Sequence, residues 1–243
     1  MNEDLVRPAA RMLLEQRVDV DERARPLGAH RERYCAVTGS PSSEPPSSCR
    51  IPATRRKEPA SMPRVTPVTT KEQVAPEHRP IFDAVAEGRG SVRGPFSIMM
   101  FSPTFCERVL NLSNFLRFEC SVKAKEGELA IIATAREKDC PYVWAAHVVL
   151  ARKAGTREEA IAAVRDRKDV GGLAPDERAI VSYVRQLLRT NRIDQAVFDA
   201  LKERYGVPWV VELTGLIGHY GSVSGLLNAF EMAPPPDAEP LPV

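Results

Sequence analysis

From about residue 75 onward, the apolar residues of this chain recur every three or four positions. Ile81, Phe82 and Val85 would share one helical face, and the pattern returns in most later segments. No segment alternates apolar and polar residues as a half-buried strand does. The pattern therefore predicts an all-α domain of about six to eight helices.

Prolines and glycines mark the ends of these predicted helices. Proline is tolerated in a first helical turn, and glycine is favoured just past a last turn. Ser102-Pro103, Pro141 and Pro175 therefore mark starts, and Gly155 and Gly206 mark ends. The predicted helices span residues 76–87, 103 to about 116, 123–139, 141–154, 156–164, 175–188, 194–205 and 207–230.

The chain divides into three regions of different composition. Tyr34 is the only aromatic residue among positions 1–61, and a Pro/Ser-rich run follows it at 38–48. Such a segment buries too little apolar surface to offset its chain entropy. Residues 1–61 are therefore expected to be a disordered extension. Alternatively, the protein begins at Met62, and the preceding codons were wrongly assigned to the gene. Residues 62–232 form the predicted domain, and residues 233–243 a Pro-rich tail.

Composition narrows the class of protein. A net charge of +2 gives no support for nucleic-acid binding, which would show as a clustered basic stripe. The sequence contains no run of about 18 apolar residues that could span a membrane. The first residues lack the basic start and apolar core of a secretory signal. Five irregularly spaced cysteines do not form a disulfide framework. The expected compartment is a reducing cytoplasm.

The chemistry is concentrated in one helical hairpin, at residues 128–147. This stretch holds a carboxylate (Glu128), a thiol (Cys140) and an imidazole (His147). Cys140 and His147 are seven residues apart, which places them on one helical face about 10 Å apart along the axis. If the hairpin folds Glu128 back toward His147, the three groups converge on one cavity as a proton relay.

A purely structural interpretation of the same residues stays open. His147 shares an apolar stripe with Val143, Leu150 and Ala154, which is the pattern of a core-facing helix. A lone cysteine is usually an inert buried residue. Cys140 does precede Pro141 at a helix start, however, where backbone N–H groups favour the thiolate.

The segment Cys140-Pro-Tyr142-Val143-Trp144-Ala-Ala-His147, with Glu128 twelve residues before Cys140, resembles the carboxymuconolactone decarboxylase and alkylhydroperoxidase D superfamily. The resemblance extends over roughly residues 64–232. It implies an all-helical fold and a symmetric homo-oligomer, often a trimer or hexamer. It also implies a small-molecule substrate and no cofactor.

The superfamily contains two chemistries, and this chain departs from both at Val143. The hydroperoxidase branch carries Cys-x-x-Cys with a histidine four residues later. The resemblance assigns Cys140 to the first cysteine and His147 to the histidine, while Val143 replaces the resolving cysteine. The decarboxylase branch carries Tyr-Glu-Trp-x-x-His. Tyr142, Trp144 and His147 match it, and Val143 replaces the glutamate.

Three hypotheses follow. The first is a cofactor-free enzyme that performs decarboxylation or a related lyase reaction on a small carboxylated or lactone substrate, with His147 as acid/base and Glu128 as its partner. The second is a thiol-dependent peroxidase that uses Cys140. The third is a non-catalytic oligomer that binds a ligand. Tyr142, Trp144 and His219 are expected to line the pocket, and the spacing of the four histidines does not suggest a metal site.

Overall fold

The computed structural model describes residues 62–242, and these residues form an all-α domain. The all-α prediction is confirmed. The predicted extension at residues 1–61 lies outside the described residues. The α-helices are α1 (Arg79–Arg89), α2 (Pro95–Met99), α3 (Pro103–Asn114), α4 (Ala124–Glu137), α5 (Pro141–Lys153), α6 (Glu158–Arg165), α7 (Pro175–Thr190), α8 (Gln195–Tyr205) and α9 (Val207–Ala229).

The prolines and glycines that mark helix ends lie at the predicted positions. Pro103, Pro141 and Pro175 each open a helix at its first position. Gly155 has a φ of +87°, and Gly206 ends α8 with a φ of +86°. The described domain holds nine α-helices, one more than the expected upper count. The helix that was not predicted is α2. Its five residues are too few to show a helical repeat of apolar positions.

Helix α4 is the centre of the domain. Every residue from Gly127 to Arg136 is buried, and α4 packs against α5, α7 and α9. A three-residue turn joins α4 to α5, and the Cys140 N–H donates to the Ala135 carbonyl across it at 2.9 Å. Asp139 adopts a positive φ of 44° in this turn. Arg136 and Arg167 both bind the Asp139 carboxylate, which fixes the hairpin that carries Glu128 and His147.

A π-helical turn, Phe115–Glu119, follows α3. The Cys120 N–H bonds to the Phe115 carbonyl, five residues earlier, instead of the usual four. Such single turns are rare and occur often at functional sites. This turn carries Arg117, whose guanidinium faces the hairpin.

Residues past α9 form no helix in the described part of the chain, yet they pack on the domain. Arg152 binds the Glu239 carboxylate at 2.6 Å, and Arg136 donates to the Pro242 carbonyl at 2.9 Å. Leu241 is buried between these two contacts. The last part of the Pro-rich tail, residues 239–242, therefore contacts the helices. None of the helices within residues 62–242 is long and apolar enough to cross a membrane.

Candidate active site

A cavity of about 500 Å³ opens beside the α4–α5 hairpin. Its wall is formed by α5 and α9, by the π turn, and by the loop between α1 and α2. Small-molecule sites typically have this volume and a mostly apolar wall with a few polar groups. The polar and aromatic lining residues are Arg89, Ser91, Arg93, Phe96, Ser113, Arg117, Tyr142, His147, His219 and Tyr220.

His147 lies at this wall and is paired with Glu128. The Oε2 atom of Glu128 is 2.7 Å from Nδ1 of His147, and both side chains are buried. A carboxylate only accepts hydrogen bonds, so the bond requires the ring proton on Nδ1. The lone pair is then on Nε2. That atom has no hydrogen-bond partner among residues 62–242, and the ring lines the cavity.

Arg117 joins this pair to a third group, Tyr220. One guanidinium nitrogen donates to Oε1 of Glu128 at 3.1 Å, and the other donates to the Tyr220 hydroxyl at 3.2 Å. The Tyr220 ring meets the His147 ring edge-on, with centroids 4.9 Å apart. Both carboxylate oxygens of Glu128 are thus engaged, which fixes the orientation of the imidazole.

Burial and the neighbouring guanidinium keep His147 neutral. Burial is the largest influence and lowers the pKa of His147 below 6.5. The Glu128 carboxylate opposes this shift, and Arg117 adds to it. His219, whose ring also contacts that of Tyr220, has a pKa lowered to about 4 by burial and by the charges of Arg89 and Arg117.

The cavity wall is rich in positive charge. Arg89 donates only to neutral acceptors, the Ser113 hydroxyl at 3.0 Å and the Asn114 side-chain carbonyl at 2.8 Å. Arg93 makes no ion pair with a described residue. Arg89 also stacks over Phe118 at 5.0 Å from the ring centroid. Two guanidinium groups thus face the cavity without a carboxylate partner within residues 62–242.

The structure separates the residues that the sequence singled out. Glu128 and His147 are brought together, and Tyr142 and His219 line the cavity. Cys140 and Trp144 do not line it, because both are fully buried in the core. The thiol therefore does not share the cavity with the carboxylate and imidazole, contrary to the expected convergence of all three.

The environment of Cys140 also works against a thiolate. Burial raises the pKa of the Cys140 thiol. The nearby backbone N–H groups of Val143 and Tyr142 and the Ser224 hydroxyl lower the pKa by less. The helix start thus has the expected effect, but desolvation outweighs it. In the described part of the chain, no three His, Cys, Asp or Glu side chains converge as metal ligands.

The sequence of the site-bearing segment matches a known family. Residues 103–186 match the carboxymuconolactone decarboxylase family model, and this segment contains Arg117, Glu128, Cys140 and His147. This segment is therefore similar to that family, in agreement with the resemblance of the motif at residues 140–147. None of the curated proteins matches the sequence.

Three solved structures have a similar fold. A peroxidase-related protein from Silicibacter sp. TM1040 superposes with a TM-score of 0.56 at 18% identity, covering 76% of this chain and 97% of its own. A peroxidase-related protein from Ralstonia eutropha JMP134, with an alkylhydroperoxidase core, gives 0.55 at 17% identity, covering 71% and 95%. A protein of unknown function from Agrobacterium tumefaciens gives 0.52 at 17% identity, covering 59% and 99%. At these identities the likeness concerns the fold.

Four polar residues at the cavity had no part in the sequence-based hypotheses. They are Arg89, Arg93, Arg117 and Tyr220. One signal was available, since Arg117 is the single charged residue in the apolar run 115–118. A charge in such a run must find a partner or reach solvent, and Glu128 is that partner.

Proposed function

We propose that this protein is a cofactor-free acid/base enzyme that performs decarboxylation or a related lyase reaction on a small carboxylated or lactone substrate. The proposal is carried by the 2.7 Å bond between Glu128 and His147 at the wall of a 500 Å³ cavity. A proton carrier needs a fixed tautomer, a free ring nitrogen and access to substrate. His147 has all three.

The proposed reaction releases one carbon dioxide and consumes one proton. The bond between the substrate carbon and its carboxylate breaks, carbon dioxide leaves, and the electron pair stays on the carbon as an enolate conjugated with the lactone carbonyl. Nε2 of His147 then gives its proton to that carbon. A carboxylated substrate beside the ring raises the His147 pKa, as Glu128 does, so binding favours the imidazolium. Water restores the proton after the product leaves.

The charge of the cavity supports a carboxylated substrate. Arg89 and Arg93 face the cavity without a described carboxylate partner, and Arg117 is neutralised by Glu128. A guanidinium presents a planar pair of donors that matches a carboxylate. A negatively charged substrate would therefore compensate these charges. A neutral molecule would leave the half-buried Arg89 without a counter-charge.

The thiol-dependent peroxidase remains a second candidate because two of the similar structures are named peroxidase-related. In that mechanism the Cys140 thiolate would attack a peroxide oxygen, and the sulfenic acid would need a resolving thiol. Cys140 is fully buried and its pKa is raised, and Val143 occupies the resolving position. These observations favour the acid/base proposal.

A panel of small lactone acids tests the proposed function and the non-catalytic alternative together. Carbon dioxide release and deuterium incorporation from heavy water are followed by NMR. We expect turnover by the wild type and a loss of at least 100-fold in His147→Ala. His78→Ala is the matched control, because His78 lies in a short 3₁₀ turn that does not line the cavity. A folded and fully active His147→Ala variant would contradict the proposal, and no turnover of any lactone acid would favour the ligand-binding protein.

We also propose that the protein is a homo-oligomer, a trimer or hexamer as in its superfamily. The support is a group of exposed large apolar side chains around α3 and the π turn, at Phe101, Phe105, Leu112, Phe115 and Phe118. Exposed apolar clusters of this kind commonly mark interaction surfaces. Light scattering of the full chain should give three or six times the mass of one chain, and a monomer would contradict the proposal.

A further inference from the structure

Tyr220 lies at the cavity wall between the two histidines. It is contributed by α9, only 5% of its surface is exposed, and its ring contacts the rings of both His147 and His219 edge-on. Substrate bound against the Nε2 atom of His147 would therefore also lie close to Tyr220. No hypothesis above uses this residue.

The hydroxyl of Tyr220 has an unused proton. Arg117 donates to its oxygen at 3.2 Å, and a guanidinium cannot accept a bond in return. The phenol oxygen is thus the acceptor in that contact, and its own O–H is directed elsewhere. No acceptor for this O–H lies among residues 62–242. Buried tyrosine hydroxyls usually find a partner, so the cavity itself is where that partner belongs.

The surroundings keep this proton on the oxygen. Burial is the largest influence and, with the Glu128 carboxylate, raises the pKa of Tyr220 to about 12, while Arg117 lowers it by less. At neutral pH the phenol is therefore a hydrogen-bond donor and does not transfer its proton. The positive charge of Arg117 on the phenol oxygen strengthens that donor.

We propose that the Tyr220 hydroxyl is a catalytic hydrogen-bond donor that stabilises the enolate oxygen formed in the reaction. This inference rests on the proposed function. When the carbon–carboxylate bond breaks, its electron pair delocalises onto the lactone carbonyl oxygen. The Tyr220 O–H donates to that oxygen, and His147 supplies the proton to carbon. A donor aimed at developing charge in a water-poor site is among the largest contributions to catalysis.

Arg117 is a positioning residue in this arrangement. Its two hydrogen bonds within residues 62–242 go to protein atoms, one to Glu128 and one to Tyr220. It holds the carboxylate that orients His147 and the phenol that meets the oxyanion at a fixed separation. The proton carrier and the oxyanion donor are thereby set by one side chain.

The test uses 4-nitrophenolate, an oxyanion whose binding requires no turnover. Its dissociation constant is measured by absorbance, above the pKa of the probe for the anion and below it for the neutral phenol. Tyr220→Phe is expected to weaken binding of the anion by about 10- to 100-fold, the usual range for a hydrogen bond to a charged group. Binding of the neutral phenol should change little, because the substitution keeps the ring.

Tyr183→Phe is the matched control, since Tyr183 is buried and bonded to Thr214 at 2.7 Å but does not line the cavity. It should bind both forms of the probe as the wild type does. Equal weakening of both forms in Tyr220→Phe would assign a structural role and overturn the proposal. So would unchanged binding of the anion, or a wild type that does not bind it.

A second measurement tests the proposal even if the Tyr220→Phe variant does not fold. Proton NMR of the wild-type complex should show a strongly deshielded hydrogen-bonded proton that is absent from the free protein. Its absence would overturn the proposal without any variant. If no lactone acid is turned over but 4-nitrophenolate still binds, the decarboxylation step is rejected and the oxyanion site is retained.

Discussion

Oε2 of Glu128 lies 2.7 Å from Nδ1 of His147, although nineteen residues separate the two along the chain. The turn between α4 and α5 makes this contact possible, and Arg117 holds the opposite carboxylate oxygen. The pair is buried at a cavity with excess positive charge. These features are what a proton carrier for an anionic substrate requires.

Replacing Glu128 with glutamine should remove catalysis and leave the fold intact. The amide can donate its N–H to Nδ1, so the proton of the neutral ring moves to Nε2. The carboxylate charge that raises the His147 pKa is also lost, so the imidazolium that gives its proton to carbon is disfavoured. We expect turnover of a lactone acid to fall by about 100- to 10,000-fold. Glu126→Gln on the same helix is the control, because Glu126 does not line the cavity. Equal activity of the two variants would show that the contact is structural.

Removing the charge of Arg117 should raise the pKa of His147. Arg117 lowers that pKa in the wild type, so Arg117→Met removes an influence that opposes protonation. If decarboxylation needs the imidazolium, kcat/KM falls as pH rises through the His147 pKa, and this fall should move to higher pH in the variant. Arg108→Met, on the exposed face of α3, should leave the profile in place. A shift to lower pH would contradict the assignment.

The buried neutral histidines should make the fold sensitive to acid. The pKa of His219 is lowered from 6.5 to about 4 in the folded state, so below pH 6.5 the unfolded chain takes up the proton first. Stability should therefore decrease as pH falls from about 6.5 to about 4. His219→Gln should flatten this decrease in urea titrations across that range. An unchanged slope would mean that His219 stays solvated.

Gly94 should not tolerate a side chain. Its φ is +56°, and an added Cβ would lie 2.7 Å from the Tyr142 hydroxyl at the cavity wall. Gly94→Ala should lower the free energy of unfolding by about 1–3 kcal/mol, since strained backbone adds to the clash. Gly88→Ala, exposed near the end of α1 with open space around it, should raise it by about 0.5–1 kcal/mol. Denaturant titrations of both variants provide the comparison, and equal effects would refute the role of Gly94.

Cys140 should react slowly with hydrogen peroxide. It is fully buried with a raised thiol pKa, whereas Cys120 is partly exposed. With a sulfenic-acid trap and mass spectrometry, Cys120 should be labelled before Cys140 and Cys106. Labelling of Cys140 ahead of Cys120 would favour the thiol-dependent peroxidase.

Local patterns in the sequence were enough to predict the hairpin that carries the site. Apolar periodicity and Pro141 located the ends of α4 and α5 to within two residues. The sequence alone could therefore predict that a hairpin brings Glu128 toward His147. The burial of Cys140 and Trp144 was not predictable, since a helix start fixes backbone position but does not reveal which neighbours cover a side chain. Leu112 and Phe115 follow the helical spacing of a buried face yet are exposed.

Arg117 and Tyr220 show why the rest of the site was missed. Arg117 faces Glu128 from a π turn, a departure from helical spacing that periodicity cannot detect. Tyr220 is 73 residues from His147 in sequence, and only the packing of α9 against the hairpin joins them. Contacts of such long range depend on how whole helices pack, which local patterns do not encode.

The most direct measurement is a ¹H–¹⁵N NMR titration of His147, which reports its tautomer and pKa without a substrate. We expect a neutral ring at pH 7 with the proton on Nδ1, a bare Nε2 and a pKa below 6.5, and a tautomer that changes in Glu128→Gln. A proton on Nε2 in the wild type, or an imidazolium that persists above pH 6.5, would contradict it.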